Sequence, residues 1–351
     1  MSSAPTIPAT IDAVTVPWLN DVTGLDVDTA EAEQIGVGVG VSSALYRLTL
    51  TGRSCPGTMV VKLPALDESA AFVATMLRMY IREVRFFSEL ASDAPVLVPR
   101  AYYAAVDEET SRFVLVMEDL GAMRPVDQLA GMAIDDAERA VDGLAAWHSV
   151  WWRKADVLAE RSITVSLADP IYPAVLPAVF REGWAKVTSH MTVPDAILEV
   201  GPHLAGAVPG LLDALGRGPS TMVHGDYRAD NILFAPDGSV CLVDFQLIGT
   251  GRGAYDLAYF VTQSLARDVA ADHERALFDG WIDRLLVLGV PAVDLTGAWE
   301  DYRTAALFCL VYPIVASRGM NLSDPRQHGL VECMIDRFAR AVDDLDLVQL
   351  L

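Results

Sequence analysis

Two short polar segments carry residue types that are suited to phosphoryl transfer. The first is HGDYRADN at residues 224–231, and the second is DFQ at residues 244–246. In phosphoryl transfer, one carboxylate accepts the proton of an acceptor hydroxyl, while an amide oxygen and a second carboxylate hold Mg²⁺ against the phosphates. The spacing makes Asp226 a candidate base, and Asn231 and Asp244 candidate ligands of Mg²⁺.

The residues between these segments read as a β-hairpin. Apolar runs at 232–234 and 240–243 flank the turn residues Pro-Asp-Gly at 236–238. Paired strands would bring Asn231 and Asp244 to the same end of the hairpin. The alternative is a polar surface turn before a buried hairpin. The whole pattern is much rarer by chance than DxxxxN alone, which favours the functional interpretation.

A lysine in an apolar strand gives a second, independent signal. In the segment MVVKL at residues 59–63, strand alternation places Lys62 on the face opposite Met59, Val61 and Leu63. A lysine ammonium in such a strand is costly unless it has a partner. Lys62 is therefore expected to meet an acidic residue.

A long helix predicted over residues 67–90 offers that residue. Glu83 lies on the edge of its apolar stripe, whereas Arg82 and Arg85 are expected to point elsewhere. We expect Glu83 to pair with Lys62, with Glu89 as the reserve candidate. The apolar stripe consists of Met76, Tyr80, Val84 and Phe87.

A glycine-rich segment, QIGVGVGVSS at residues 34–43, precedes this strand. Alternating glycines let backbone N–H groups approach phosphate oxygens, which makes Gly38 and Gly40 candidate phosphate contacts. The segment is neither a Walker A motif nor a clean GxGxxG, and a strand rather than a helix is predicted after it.

The motifs HGDYRADN and VDFQ, with YDLAYF at residues 255–260, resemble the aminoglycoside phosphotransferase and choline kinase-like superfamily. They are most similar to its ecdysteroid-kinase-like and "phosphotransferase enzyme family" branches. The resemblance implies that Asp226 is the catalytic base and that Asn231 and Asp244 bind Mg²⁺. It also implies that Asp256 is a structural aspartate at a helix start. Gln246 departs from the glycine of the protein-kinase DFG motif.

The resemblance further implies how the nucleotide is held. Lys62, set by Glu83, would neutralise the phosphates of ATP. The segment FVLVMEDL at 113–120 resembles the inter-lobe hinge, where backbone groups near Val116, Met117 and Glu118 would bind adenine. Backbone recognition leaves the choice between ATP and GTP open.

The order of elements predicts an α+β, bilobal protein-kinase-like fold. A small β-rich nucleotide-binding lobe is expected over residues 1–120, with the hinge at about 117–121. A larger, mainly helical lobe over residues 121–351 would carry the catalytic loop and the substrate site. Acceptor contacts are expected from residues 170–194 and 299–318.

Composition excludes some partners. Acidic residues outnumber basic ones 47 to 26 in the 351-residue chain, giving a net charge of −21. Nucleic acid and anionic membranes are therefore poor partners. The four cysteines form no CxxC pair, and neither a signal peptide nor a membrane span is evident, so a cytoplasmic protein is expected.

These observations predict a small-molecule kinase that transfers the γ-phosphoryl group of ATP to a hydroxyl, with Mg²⁺ as cofactor. Its acceptor could be a cationic aminosugar or a neutral hydroxylated lipid, sterol or acyl derivative. A protein kinase is disfavoured, because no APE motif follows DFQ. A catalytically silent nucleotide-binding module is disfavoured, because the chain keeps the full set of catalytic residue types: Lys62, Asp226, Asn231 and Asp244. The oligomeric state cannot be predicted from the sequence.

Overall fold

The computed structural model describes residues 6–36, 42–161 and 163–351. The chain divides into two compact units. The first comprises Met1–Met123 with Leu242–Leu247, and the second comprises Arg124–Cys241 with Ile248–Leu351. The roles that the sequence suggests for residues 1–120 and 121–351 stay predictions. None of the helices in the described ranges is long and apolar enough to cross a membrane.

The first unit is built on a five-stranded antiparallel sheet with the order β1-β2-β3-β5-β4. The predicted hairpin of β2 and β3 is present, and β3 lies in the centre of the sheet. β1 was not predicted as a strand, because its mostly polar side chains are largely exposed. The strands are β1 (Asp26–Ile35), β2 (Ser43–Ser54), β3 (Thr58–Pro64), β4 (Ala101–Val106) and β5 (Phe113–Glu118).

The single helix predicted over 67–90 is wrong, because the segment forms two helices. Arg78 has a φ of 55°, in the left-handed region, and this ends one helix before the next begins. Met76 consequently lies on a different helix from the rest of the predicted stripe and is exposed. The helices of this unit are α1 (Val16–Thr23), α2 (Glu68–Met76) and α3 (Met79–Glu89).

Both faces of the central strand are covered. Met59, Val61 and Leu63 belong to one buried apolar cluster, as the predicted alternation requires. A second cluster includes Tyr80 and Val84 of α3. Lys62 is therefore buried in a strand whose opposite face is wholly apolar.

The second unit is mainly helical. The helices predicted at 134–152 and 199–215 correspond to α4 and to part of α7. Every residue of α8 is buried, which makes it the central helix of this unit. The helices are α4 (Ile134–Trp151), α5 (Ala155–Glu160), α6 (Ile171–His190), α7 (Asp195–Gly216), α8 (Ala254–Ser264), α9 (Arg267–Val287), α10 (Ala298–Cys309), α11 (Val311–Ala316) and α12 (Pro325–Asp344).

Short strands frame the segment that carries the polar motifs. β8 and β9 form the predicted hairpin, and a three-stranded sheet has the order β6-β10-β7. Together the two units make an α+β protein, as the sequence predicts. The strands are β6 (Val165–Ser166), β7 (Thr221–Val223), β8 (Ile232–Phe234), β9 (Val240–Leu242) and β10 (Gly249–Gly251).

Candidate active site

In the first unit, Lys62 bridges two carboxylates. Its Nζ lies 2.8 Å from Oε1 of Glu83 on α3 and 3.0 Å from Oδ1 of Asp244. Lys62 is 3% exposed and Glu83 is 1% exposed. The predicted pairing of these two residues is thus present, whereas the reserve candidate, Glu89, is exposed. The sequence did not predict that Asp244 would share the lysine.

Burial sets the protonation of this cluster. It raises the pKa of Glu83 to about 7, against the opposing charge of Lys62. Burial also lowers the pKa of Lys62, but Asp244 and Glu83 outweigh it, so the pKa of Lys62 is raised. Lys62 therefore remains a cation at neutral pH. Glu83 has a pKa of about 7 and therefore gains or loses its proton near neutral pH.

The DFQ segment is anchored by the two residues that follow its aspartate. Asp244 itself has a φ of 64°, a left-handed conformation that aspartate tolerates better than most residues. Phe245 stacks on Phe86 of α3 with ring centroids 3.8 Å apart. The Gln246 Oε1 accepts a hydrogen bond from the Ser42 hydroxyl at 2.6 Å. A glycine has no side chain to accept this hydrogen bond. Gln246, which stands where the DFG motif has glycine, therefore adds a contact to Ser42.

The predicted adenine-binding residues lie at the end of β5. Val116 is buried between β3 and β4, opposite Val61. Met117 is partly buried and Glu118 is exposed. The Glu118 N–H donates to the carbonyl of Arg100 at 2.8 Å, so this N–H already has an acceptor.

The two glycines predicted to contact phosphate, Gly38 and Gly40, lie outside the described residues. Gly36 follows the end of β1 and has a φ of 67°, which favours glycine. The carbonyl of Ser42, on the other side of this segment, accepts a hydrogen bond from the Tyr80 hydroxyl at 2.8 Å.

In the second unit, Asp226 follows β7, and both of its carboxylate oxygens have donors. Arg228 Nε lies 3.2 Å from its Oδ1, and Asn231 Nδ2 lies 2.8 Å from its Oδ2. The same Nδ2 donates to the Asp226 carbonyl at 2.9 Å. The amide nitrogen of Asn231 thus faces Asp226, which leaves its Oδ1 as the atom able to ligate a metal.

Arg228 is a site residue that the sequence reasoning missed. It also forms an ion pair with Asp230, so one guanidinium joins two carboxylates of the same loop. Burial lowers the pKa of Arg228, but Asp226, Tyr259 and Asp230 raise it by more. The sequence did carry a signal for Arg228, because it lies between two aspartates in the segment DYRAD at residues 226–230.

Asp256 holds the loop from behind. It is fully buried at the start of α8, and it accepts the backbone N–H of His224 at 2.7 Å and that of Gly225 at 3.0 Å. Its Oδ2 also lies 3.2 Å from His148 Nε2. These contacts fit the structural part that the resemblance suggests for Asp256.

Trp281 defines the proton position on His148. The indole N–H of Trp281 donates to His148 Nδ1 at 3.1 Å, so this nitrogen acts as the acceptor. The imidazole proton then sits on Nε2, where it points to Asp256. His148 is fully buried and serves this network.

By their chemistry, the two candidate metal ligands suit a hard cation such as Mg²⁺. No group of three or more His, Cys, Asp or Glu side chains that could hold a metal occurs among the described residues. Mg²⁺ is commonly held by one or two side-chain oxygens together with substrate phosphates and water. Asn231 and Asp244 are hard oxygen donors of this kind.

A family comparison decides the class of the protein. The family described as "Phosphotransferase enzyme family" matches residues 33–286. The chain belongs to this family. Enzymes of the family transfer phosphoryl groups to hydroxyls of small molecules. No curated protein matches the sequence.

Solved structures show the fold of this phosphotransferase. A putative aminoglycoside phosphotransferase from Ralstonia eutropha JMP134 superposes with a TM-score of 0.58 at 16% identity, covering 95% of this chain and 96% of that chain. The GDP complex of aminoglycoside 2'-phosphotransferase-IIIa gives 0.58 at 14% identity, with 92% and 96% covered. Choline kinase from Cryptosporidium parvum gives 0.56 at 9% identity, with 96% and 95% covered. The predicted kinase-like fold is confirmed.

Proposed function

We propose that this phosphotransferase is an ATP-dependent kinase of a small molecule, and that it transfers the γ-phosphoryl group to a hydroxyl. The observation that carries the proposal is Lys62, a buried cation held between Glu83 and Asp244. A buried ammonium with two anionic partners suits the binding of nucleotide phosphates. Family membership supports the same reaction.

In the proposed step, Asp226 accepts the proton of the acceptor hydroxyl. The acceptor oxygen forms a bond to the γ-phosphorus, and the bond from that phosphorus to the β–γ bridging oxygen breaks. ADP leaves with the electron pair. Arg228 and Asn231 each bind one oxygen of Asp226, so the carboxylate is oriented before the acceptor arrives.

Asn231 and Asp244 would hold Mg²⁺, which neutralises phosphate charge when it is bound. The amide nitrogen of Asn231 is occupied by Asp226, which supports its oxygen as the ligand. Lys62 donates to the other candidate ligand, Asp244, and so fixes its carboxylate. Backbone groups near Val116 would bind the base.

Two measurements test the proposal separately. Thermal unfolding with ATP and Mg²⁺ or GTP and Mg²⁺ reports nucleotide binding, because a ligand that binds only the folded state raises Tm. We expect a rise that Asp244→Asn removes. ADP formation with an acceptor panel, confirmed by the mass of the product, reports transfer, and Asp226→Asn should abolish it. A chain that binds no nucleotide under these conditions refutes the proposal.

A further inference from the structure

Three tyrosines of the second unit form one cluster, here called the tyrosine cluster: Tyr255 and Tyr259 on α8, and Tyr312 on α11. The hydroxyls of Tyr255 and Tyr312 are hydrogen-bonded to each other. The ring centroids of Tyr259 and Tyr312 are 4.7 Å apart. Phe308 of α10 extends this aromatic surface, with its ring 6.0 Å from that of Tyr312.

This cluster lies beside the candidate base. The Tyr255 hydroxyl donates to the carbonyl of Gly225, the residue before Asp226, at 3.3 Å. Burial raises the pKa of Tyr259 and Tyr312 well above the usual value, and the nearby charge of Asp226 adds to this. The phenols are therefore neutral at every pH at which the enzyme would work.

Tyr312 is the member of the cluster that reaches the surface. Tyr255 and Tyr259 are 1% and 3% exposed, whereas Tyr312 is only partly buried. It also lies within 299–318, one of the two segments from which the sequence predicts acceptor contacts. The charge of Asp226 acts on the Tyr312 phenol, so an acceptor hydroxyl at Asp226 would come near the Tyr312 ring.

Three carboxylates of the second unit, Asp226, Asp230 and Asp169, already have hydrogen-bond or ion-pair donors. Asp226 and Asp230 share Arg228. Asp169, three residues before the nearby Tyr172, accepts the backbone N–H of Ile171. A polycation would have to give up its hydration here for aromatic rings and carboxylates that already have donors.

We propose that Tyr312 contacts the acceptor, and that the acceptor is an uncharged alcohol with an apolar or aromatic face. The inference rests on the proposed function and specifies its substrate class. The ring of Tyr312 supplies an apolar surface beside Asp226, and its hydroxyl is occupied by Tyr255. Recognition of the acceptor therefore depends on the face of the Tyr312 ring and not on the Tyr312 hydroxyl.

The experiment compares three groups of acceptors with ATP and Mg²⁺. Uncharged hydroxysterols, aryl alcohols and long-chain alcohols form the first group, aminoglycosides the second, and choline and ethanolamine the third. We expect turnover above the Asp226→Asn blank in the first group alone. Turnover confined to the second or third group overturns the inference, and the third would mean that the rings bind a cation. Absence of turnover in the first group also overturns it.

Variants of Tyr312 test its role. Tyr312→Ala should raise the KM of the acceptor roughly tenfold or more and leave the KM of ATP unchanged, because only the acceptor loses a contact. Tyr312→Phe keeps the ring and should change neither. Tyr302→Phe, which removes a phenol bound to Glu274 instead, is the matched control. An acceptor KM that Tyr312→Ala leaves unchanged refutes the role of Tyr312.

The nucleotide measurement separates this inference from the proposed function. If ATP with Mg²⁺ raises Tm and Asp244→Asn removes the rise, nucleotide binding stands whatever the acceptor result. Failure of the uncharged alcohols then overturns only the substrate class. If no Tm rise occurs, both the proposed function and the inference fall.

Discussion

Replacing Glu83 with glutamine should change stability and activity in opposite directions. The pKa of Glu83 is raised from 4.5 to about 7 by burial. Between these two pH values the folded state holds a proton that the unfolded state has lost. The free energy of unfolding therefore falls as the pH rises through this window. At 1.36 kcal/mol per pKa unit, the loss is about 3 kcal/mol by the time the pH exceeds 7.

Glu83→Gln removes this titration and keeps the shape of the side chain. At pH 5 the variant and the wild type should differ little in stability, because Glu83 of the folded wild type then still holds its proton and is as uncharged as glutamine. At pH 8 the variant should be the more stable by about 3 kcal/mol, since it no longer ionises a buried carboxyl. Lys62 keeps Asp244 as its partner.

Urea unfolding at pH 5, 6, 7 and 8 measures the difference, and Glu89→Gln is the control. Glu89 lies on the same helix but is exposed, so its variant should show no such trend. A stability difference between Glu83→Gln and the wild type that does not change with pH refutes the reasoning. The same variant should lose at least about tenfold in kcat/KM for ATP, because Lys62 loses the partner that positions it.

Three further substitutions address the other parts of the site. Asp256→Asn leaves one acceptor oxygen for two backbone N–H groups, so kcat should fall roughly 10- to 100-fold while the KM of ATP is unchanged; steady-state kinetics check this. Arg228→Gln removes the cation that orients Asp226, and it should lower kcat by about tenfold or more without affecting the Tm rise caused by ATP and Mg²⁺. Gln246→Leu breaks the hydrogen bond from Ser42 and should raise the KM of ATP roughly 2- to 10-fold, with a smaller effect on kcat.

The parts of the site that the sequence predicted are those in which one local pattern fixes the geometry. Asp226 and Asn231 lie five positions apart in a single loop, and the hydrogen bonds between them are local. Lys62 interrupts an apolar strand, so its need for an acidic partner was evident from the sequence. Glu83 could be named because a helix face has a definite period.

The parts that were missed depend on contacts between distant segments or on single backbone angles. The helix break at Arg78 follows from the left-handed backbone conformation of this one residue. The spacing of the apolar residues along the segment does not reveal such a break. Asp244 meets Lys62 across 182 positions of sequence. The pairing of Tyr255 with Tyr312 likewise joins two helices whose spacing in sequence predicts nothing about their contact.

Lys62, Arg228 and Asp256 have one feature in common: each is held by more than one partner. Lys62 has two carboxylates, Arg228 has two carboxylates, and Asp256 receives two backbone N–H groups and an imidazole. Redundant bonding of this kind fixes a side chain before the substrate binds, and it does so in buried positions where desolvation opposes the charge. Apolar packing elsewhere must offset that cost, and in the second unit the fully buried α8, which carries Asp256, provides part of it. Glu83→Gln should therefore gain stability above pH 7 as it loses turnover. A site whose ion pairs were there to stabilise the fold would lose both together.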